Sequence, residues 1–278
     1  MMNNRAFHSN LRKLVEAYIR RANQEFQSRL KAWPLDLTNN EVHEVVGALM
    51  SRQVTLATHL AACSPNWNGH AAPLFLRPMA DVYVNLAWVL CDPNERAKKF
   101  IMYGLGQAKL ELEHRRADMA SRQPLNEELE FIEGMEAWIN EQRAIFLTDV
   151  NLGSWSGLST RKMADEAGCI DFYNYVYTPF SSCVHSTWNH IAKYNLRPCN
   201  NPLHRYHSIP AIVEAPIDPH YLHLAARYLQ KTFAKFDETC SPQTKPRSAL
   251  DALTRDLNSL ERKVSTALKK TPHRRGKR

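Results

Sequence analysis

Long hydrophobic runs, glycine and paired cysteines are what this sequence lacks. No apolar run approaches the roughly 18 residues of a membrane-spanning helix, so we expect no transmembrane segment. Only nine of the 278 residues are glycine, which excludes collagen-like and glycine-rich low-complexity chains. The six cysteines form no Cys-x-x-Cys pair, which argues against a disulfide framework and a zinc finger. These absences predict a globular protein of the cytoplasm with reduced cysteines.

The common enzyme signatures are missing as well. The chain has no G-x-G-x-x-G, no P-loop, no H-E-x-x-H and no G-x-S-x-G. Their absence argues against P-loop nucleotide hydrolysis, Rossmann redox chemistry and α/β-hydrolase chemistry. We therefore predict no cofactor and no metal site.

The net charge of +8 is concentrated at the two ends of the chain. Residues 255–278 carry nine Lys or Arg against two acids, and residues 1–33 carry seven against two. Residues 34–254 are therefore net acidic by four charges. The basic end is either a solubilising tail or a nucleic-acid contact. For the second case, the predicted phosphate-binding residues are Lys269, Lys270, Arg274, Arg275, Lys277 and Arg278.

Apolar residues recur mainly at helical spacing. The first helix ends at Pro34, which cannot continue it. Further helices are predicted over about 40–63, 74–90, 94–121, 125–148, 158–167, 170–195 and 218–236, and the one over 170–195 is kinked at Pro179. No period-two strand is evident, and the proline-containing residues 196–219 are predicted as an ordered loop. The fold class is therefore all-α, a bundle of about eight helices with a C-terminal amphipathic helix.

The last predicted helix carries a heptad-like apolar seam. Its members are Leu250, Leu253, Leu257, Leu260, Val264 and Ala267. We divide the chain into a helical domain over 1–236, a linker over 237–247, and the C-terminal helix with its basic tail over 248–278. The seam at 250–267 either packs on the chain's own body or contacts a protein partner. We predict a homodimer through it.

Polar residues set in apolar helices are the first candidates for a site. Arg77 and Asp81 are four apart, so they share one face of the most apolar helix. They form either a structural ion pair or an Arg held by Asp81 to bind an anion such as phosphate. His185, which Ser181 would orient from one turn earlier, is either a core histidine or a general acid–base. We predict that Arg77, Asp81 and His185 lie close together.

Arg52 and His59 form a second candidate pair. An Arg followed by a His after four to six residues resembles the catalytic motif of the HEPN ribonucleases, which are helical and dimeric. The resemblance implies that the His and the Arg act on the RNA 2′-hydroxyl and the scissile phosphate. Arg197 and His204 have the same spacing.

Several separated motifs occur together in this chain. They are Arg52–Ala57, Arg77–Trp88, Trp155–Gly157, Ala164–Gly168, and then Tyr173, Tyr177, Ser181 and His185. Together they resemble a bacterial family of all-helical proteins classed only as a domain of unknown function. In that family an Arg-x3-acid pair heads an apolar helix, and the acid is usually Glu where this chain has Asp81. The resemblance covers about residues 45–195 and implies a bacterial or phage-related source and an all-α fold, but no established activity.

Two functions remain open from the sequence. One is a helical interaction subunit that binds a protein or nucleic-acid partner, in the anti-phage setting where such helical proteins often occur. The other is a metal-independent ribonuclease effector. In that case Arg77 and Arg52 would bind phosphate, and His185 or His59 would move protons. Convergence of Arg77, Asp81 and His185 on an open cleft would favour the enzyme, whereas a sealed cluster would favour the interaction subunit.

Overall fold

A computed structural model describes residues 4–141, 154–240 and 246–269 of the chain. Over these residues the fold is all-α apart from one short hairpin, as the apolar spacing predicts. The helices are α1 (Asn4–Ala32), α2 (Asn40–Ala62), α3 (Ala72–Val89), α4 (Pro93–Met119), α5 (Asn126–Glu141), α6 (Thr160–Glu166), α7 (Ile170–Phe172), α8 (Thr178–Val184), α9 (Trp188–Tyr194), α10 (His220–Cys240) and α11 (Ala249–Lys269). The strands β1 (Leu196–Pro198) and β2 (Ser208–Pro210) pair antiparallel. Within the described ranges, we find no helix with the length and apolarity needed to span a membrane.

Local sequence explains where several helices begin and end. Pro34 follows α1 closely and cannot extend it. Asp36 accepts the Thr38 N–H at 2.9 Å and so caps the short turn Leu37–Asn39, directly after which α2 begins. Pro93 lies in the first turn of α4. Backbone N–H groups in this turn have no carbonyl partner within the helix, so proline, which lacks the N–H, is tolerated there.

The structure departs from the predicted elements in the second half of the chain. The helix predicted over 170–195 with a kink at Pro179 is irregular next to that residue, but it is divided further, into α7, a π-helical turn, α8 and α9. The predicted loop 196–219 contains β1 and β2, which are too short, at three residues each, for a period-two pattern to reveal. Residues 237–240, predicted as linker, continue α10. Linker residues 241–245 lie outside the described part of the chain, and residues 246 and 247 have no regular secondary structure.

The chain divides into two compact units, of which the first comprises residues 1–34, 49–83 and 171–278. In this unit α11 packs against α1 and α10. Its largest fully buried side chains include Tyr18, Trp67, Leu76, Met79, Leu222, Phe233 and Leu253. Leu253 belongs to the predicted seam, so the seam packs on the chain's own body at this residue. The side chains of Val264 and Ala267 lie outside the described set.

A buried network of charges joins α1, α10 and α11 in the first unit. Arg29 donates from Nε and Nη2 to the two carboxylate oxygens of Asp237, both at 2.8 Å. Its Nη1 donates to Glu25 at 3.0 Å. The second oxygen of Glu25 accepts the N–H of Ala249 at 2.8 Å, at the first residue of α11. The network therefore ties the start of the C-terminal helix to α1.

The second unit comprises residues 35–48 and 84–170. In it α4 packs against α5 around the apolar cluster of Leu112, Ile132 and Ile139. A separate cluster in this unit is built around Trp88, whose ring lies 3.8 Å from the Arg96 guanidinium carbon. The Trp88 indole N–H donates to Glu166 at 2.8 Å, and Trp155 meets the Trp88 ring edge-on at 5.1 Å. Three motifs that lie far apart in the sequence therefore contact one another in this cluster, through Trp88, Trp155 and Glu166.

Candidate functional site

Arg77 and Asp81 form an ion pair on α3, one of the two arrangements that their spacing predicts. Arg77 is only 8% exposed, and its Nη1 donates to a carboxylate oxygen of Asp81. Its Nε donates to the Ser181 hydroxyl at 2.7 Å. The guanidinium carbon lies 3.3 Å from the ring centroid of Tyr177, in a cation–π contact. Arg77 thus joins α3 to the Tyr-rich helical segment.

A π-helical turn presents Tyr177 and Ser181 to Arg77. It spans Tyr173–Tyr177, and the Thr178 N–H donates to the Tyr173 carbonyl, five residues back. Pro179 lies in the first turn of α8, which follows the π-helical turn without a break. Its ring and missing N–H disfavour a regular α-helix running through from the residues before it. The Ser181 hydroxyl donates to the Tyr177 carbonyl at 3.0 Å while it accepts from Arg77. The irregularity at Pro179 therefore occurs where the helix contacts Arg77.

The Arg77 cluster is built from groups that satisfy one another. Burial raises the pKa of the Asp81 carboxyl, and the Arg77 guanidinium opposes this rise. The guanidinium is stacked on Tyr177, paired with Asp81 and hydrogen-bonded to Ser181. Because these groups already occupy the guanidinium, Arg77 is better suited to link two helices than to bind phosphate.

His185 lies at the C-terminal end of α8, and its side chain is exposed. Its backbone N–H donates to the Ser181 carbonyl at 2.9 Å. The Ser181 hydroxyl is engaged by Arg77 and Tyr177 rather than by the His185 imidazole. Among the described residues the imidazole has no hydrogen-bond partner. The structure thus brings Arg77 and Asp81 into contact without joining His185 to them by a hydrogen bond.

Arg52 and His59 are both exposed on α2. Their separation of seven residues is two helical turns, so they share one face of the helix. Arg197 lies on β1, and His204 lies in the loop of the hairpin. Of the predicted tail contacts, only Lys269 falls in a described element, at the end of α11, and residues 270–278 lie outside the described ranges.

A surface that the sequence analysis missed lies between α7 and α10. Residues 172–213, here called the basic–aromatic segment, contain no Asp or Glu. Exposed rings and apolar side chains of this segment include Tyr175, Trp188, Leu203, Tyr206 and Ile212. Its cations Lys193, Arg197 and Arg205 are exposed as well. The sequence signal for this surface is the stretch of 42 residues without Asp or Glu. It does not stand out as a block of charge, because it contains only three Lys and Arg residues.

A cavity of about 320 Å³ opens beside α8 and α9 within the first unit. Its lining includes Gly69, Cys183, Asn189, His190, Lys193, Tyr194 and Tyr221. Gly69 leaves room for the Tyr194 ring, which a side chain at that position would strike. The His190 ring lies 4.8 Å from that of Tyr194. Burial lowers the pKa of His190, and nearby His70 and Lys193 lower it further.

Three further residues meet in the loop of the hairpin. The ligand atoms of Cys199, His204 and His207 all lie within 4.8 Å of one another. No metal site is predicted from the sequence, so this cluster is a finding of the structure. The Cys-x4-His-x2-His pattern was present in the chain, but only the hairpin makes Cys199 and His207 neighbours.

Comparison with known proteins places the chain in a family. Neither the curated proteins nor the solved structures contain a significant match to it. A family model matches residues 43–202, more than half of the chain, and this range agrees with the resemblance over 45–195 that the motifs indicated. The matched range holds the Arg77 cluster, Arg52 and His59, and most of the basic–aromatic segment. The chain therefore belongs to the family of unknown function DUF5677.

Proposed function

We propose that this protein is a non-enzymatic helical interaction protein whose partner is single-stranded nucleic acid. The observation that carries the proposal is the basic–aromatic segment, which exposes Tyr175 (79%), Trp188 (72%) and Tyr206 (100%) beside cations over 42 residues without a carboxylate. Exposed rings of this size cost free energy in water, so an uncovered set of them indicates a binding surface.

The chemistry of the segment matches that of a single strand. Unpaired bases stack on aromatic rings without regard to sequence, and each stack contributes about 1–3 kcal/mol. Lys193, Arg197 and Arg205 supply phosphate contacts, and the absence of acids removes repulsion of the backbone. A protein partner would instead favour a polar rim that carries both signs of charge.

The elements that carry these side chains are in contact with one another. Helix α9 packs against α8 and against β1. Trp188 and Lys193 lie on α9, and Arg197 lies on β1. The cavity beside α9 is at the small end of the size range of ligand pockets.

The internal pairing of Arg77 supports an interaction protein over a ribonuclease centred on Arg77. A phosphate-binding arginine needs its guanidinium accessible, whereas Arg77 is 8% exposed and bonded to Asp81 and Ser181. The charges of Arg77 and Asp81 then have a structural role, because Arg77 links α3 to α8.

The test is binding of fluorescein-labelled oligouridine RNA, measured by fluorescence anisotropy beside a duplex of the same length. Trp188→Ala and Tyr206→Ala should each weaken binding about tenfold, the loss expected for one stacked base. Trp138→Ala is the matched control, because Trp138 is 48% exposed on α5 outside the segment. Equal affinities of Trp188→Ala, Tyr206→Ala and the control would contradict the proposal.

A second function is favoured by one observation only. Arg52 and His59 are both exposed on one face of α2, the arrangement that an HEPN-like ribonuclease needs. In that case the wild type cleaves RNA in the presence of EDTA, and Arg52→Ala and His59→Ala abolish cleavage. If this nuclease acts in anti-phage defence, expression of the wild type in bacterial cells would arrest growth and degrade RNA. Intact RNA and normal growth would dismiss this alternative and leave the binding function standing.

A further inference from the structure

We infer that the loop of the β1–β2 hairpin binds a divalent transition-metal ion, Zn²⁺ by its chemistry, through Cys199, His204 and His207. One thiolate and two neutral imidazoles are the ligand types that zinc takes in proteins. Hard cations such as Mg²⁺ and Ca²⁺ prefer oxygen ligands, which none of these three side chains offers. The site goes beyond the nucleic-acid proposal and does not depend on it.

The register of the hairpin brings Cys199 opposite His207. Pro198 pairs with Ser208 at the end of the ladder. One position further, the Cys199 N–H donates to the His207 carbonyl at 2.9 Å, which extends the antiparallel pairing into the loop. Side chains of residues opposite one another project from the same face, with Cβ atoms about 4.5–5.5 Å apart. The thiol and the second imidazole are therefore neighbours although seven residues separate them.

Two tight turns bring His204 back to the same place. The His204 N–H donates to the Asn201 carbonyl at 3.0 Å, and the His207 N–H donates to the His204 carbonyl at 3.1 Å. The Asn201 side-chain oxygen also accepts the Leu203 N–H at 3.0 Å, which fixes the first turn. Backbone bonds thus hold the loop closed around the three side chains.

The distances fit a tetrahedral ion. The Cys199 Sγ lies 3.7 Å from His204 Nδ1. With Zn–S of about 2.3 Å and Zn–N of about 2.0–2.1 Å, a tetrahedral angle separates the two ligand atoms by about 3.6 Å. The ring nitrogen of His204 that faces the thiol is Nδ1. Nε2 lies 3.3 Å from the Asn201 amide nitrogen, and because Nε2 would carry the ring proton with the ion bound, the Asn201 amide would have to turn away from it. The rings of His204 and His207 are inclined by 66°, with centroids 5.3 Å apart.

The position of the site suits an ion that completes its coordination from outside. Both histidines are exposed and Cys199 is half-buried. Three protein ligands leave the fourth tetrahedral position to water or to a group of another molecule. A bound ion would cross-link the nine-residue loop over 199–207. Without an ion, this loop is held mainly by hydrogen bonds, because few of its side chains are buried.

The decisive experiment is a Co²⁺ titration of the full chain, because tetrahedral thiolate-bound Co²⁺ absorbs visibly. The wild type should bind one Co²⁺ with thiolate-to-metal charge-transfer absorption, and one equivalent of Zn²⁺ should displace it. Cys199→Ser should abolish the charge-transfer band, and His204→Ala and His207→Ala should each weaken binding at least tenfold. Cys91→Ser is the matched control, since Cys91 is an exposed thiol outside the cluster, and it should bind like the wild type. A wild-type signal that survives in Cys199→Ser, or no signal at all, overturns the site.

A second measurement needs no variant and no nucleic acid. Trypsin should cleave after the exposed Arg205 inside the loop, whereas Arg197 is protected from it by the following Pro198. We expect Zn²⁺ to slow cleavage after Arg205 at least tenfold, followed by mass spectrometry, with cleavage after the exposed Lys193 unchanged. Equal rates at Arg205 with and without Zn²⁺ would contradict the inference. Neither assay involves RNA, so failure here leaves the proposed function untouched, and the reverse also holds.

Discussion

Three Arg–carboxylate pairs at helical spacing have very different surroundings in this protein. The Arg12–Glu16 pair is exposed, with side chains 82% and 49% accessible. The Glu25–Arg29 pair is buried, with side chains 2% and 3% accessible. In the third pair, Arg77 is buried and the Asp81 side chain is 39% accessible. Spacing alone makes these pairs equivalent, and only their surroundings decide what each contributes.

We predict that Arg29→Ala lowers the free energy of unfolding by about 3–5 kcal/mol, because it leaves two carboxylates without their shared cation inside the protein. Arg12→Ala is the matched control and should change that free energy by less than about 0.5 kcal/mol. Urea denaturation followed by circular dichroism measures both. Similar losses for the two variants would mean that the buried network does not stabilise the fold.

The pH dependence of stability should report on Glu25. Burial raises the pKa of its carboxyl above 4.5, and nearby Asp237 contributes to the rise, whereas Ala249 and Arg29 oppose it. A raised folded-state pKa means that the folded chain holds this proton more tightly than the unfolded chain does. The contribution is therefore complete below pH 4.5 and is lost as the pH rises through the folded-state pKa.

Glu25→Gln removes this titration. The unfolding free energy of the wild type minus that of Glu25→Gln should decrease as the pH rises from 4.5 towards neutrality. Denaturation at several pH values measures it, and Glu16→Gln, at the exposed pair, provides the reference for loss of a surface carboxylate. A difference that grows with pH would have the wrong sign for a raised pKa.

Among the elements, the segment α7–π turn–α8 contacts α3 through Arg77 and through the ring of Tyr83, which lies 4.6 Å from that of Phe172. Its helical path is interrupted before Pro179, and it reaches α3 through Tyr177 and Ser181 on Arg77. These contacts explain why an Arg-x3-acid pair and a Tyr-rich helix with Ser-x3-His occur together in this chain. They also separate Ser181, which supports Arg77, from His185, which faces solvent.

We predict that Arg77→Ala destabilises the protein by about 1–3 kcal/mol, the loss expected when charged hydrogen bonds are removed and Asp81 is left half-buried. Arg52→Ala, at an exposed arginine of α2, should be nearly neutral. Hydrogen exchange should localise the effect of Arg77→Ala to faster exchange in α8. Unchanged protection of α8 would show that Arg77 does not hold this helix.

At the scale of the molecule, the seam of the C-terminal helix could either pack on the chain's own body or form a dimer. Leu253 is fully buried and α11 packs against α1 and α10, so part of the seam serves internal packing. The homodimer stays a prediction, and it would have to use the distal part of the seam, where Leu260 is half-buried. Light scattering should then give twice 32.0 kDa for the wild type and 32.0 kDa for Leu260→Asp. A wild-type mass of 32.0 kDa would contradict the dimer.

The basic tail should affect nucleic-acid binding differently from the basic–aromatic segment. Removal of residues 269–278 deletes six cations, so the slope of log affinity against log salt should flatten by up to about 4 for a single strand. The effect of Trp188→Ala should persist in the truncated chain, because stacking does not depend on the tail. An unchanged salt slope would exclude the tail as a contact.

The helical class, the approximate helix positions, the Arg77–Asp81 pair and the family could all be predicted from the order of the residues. These depend on local regularities, since helical spacing places apolar faces and i, i+4 neighbours within one element. Burial and contacts between distant residues are not local. The capture of Ser181 by Arg77, the pairing of Arg29 with Asp237 and the meeting of Cys199 with His207 depend on how elements pack or pair. They could not be predicted from the sequence, because the environment that makes a charge part of a cross-link, or a thiol a ligand, is assembled from distant parts of the chain.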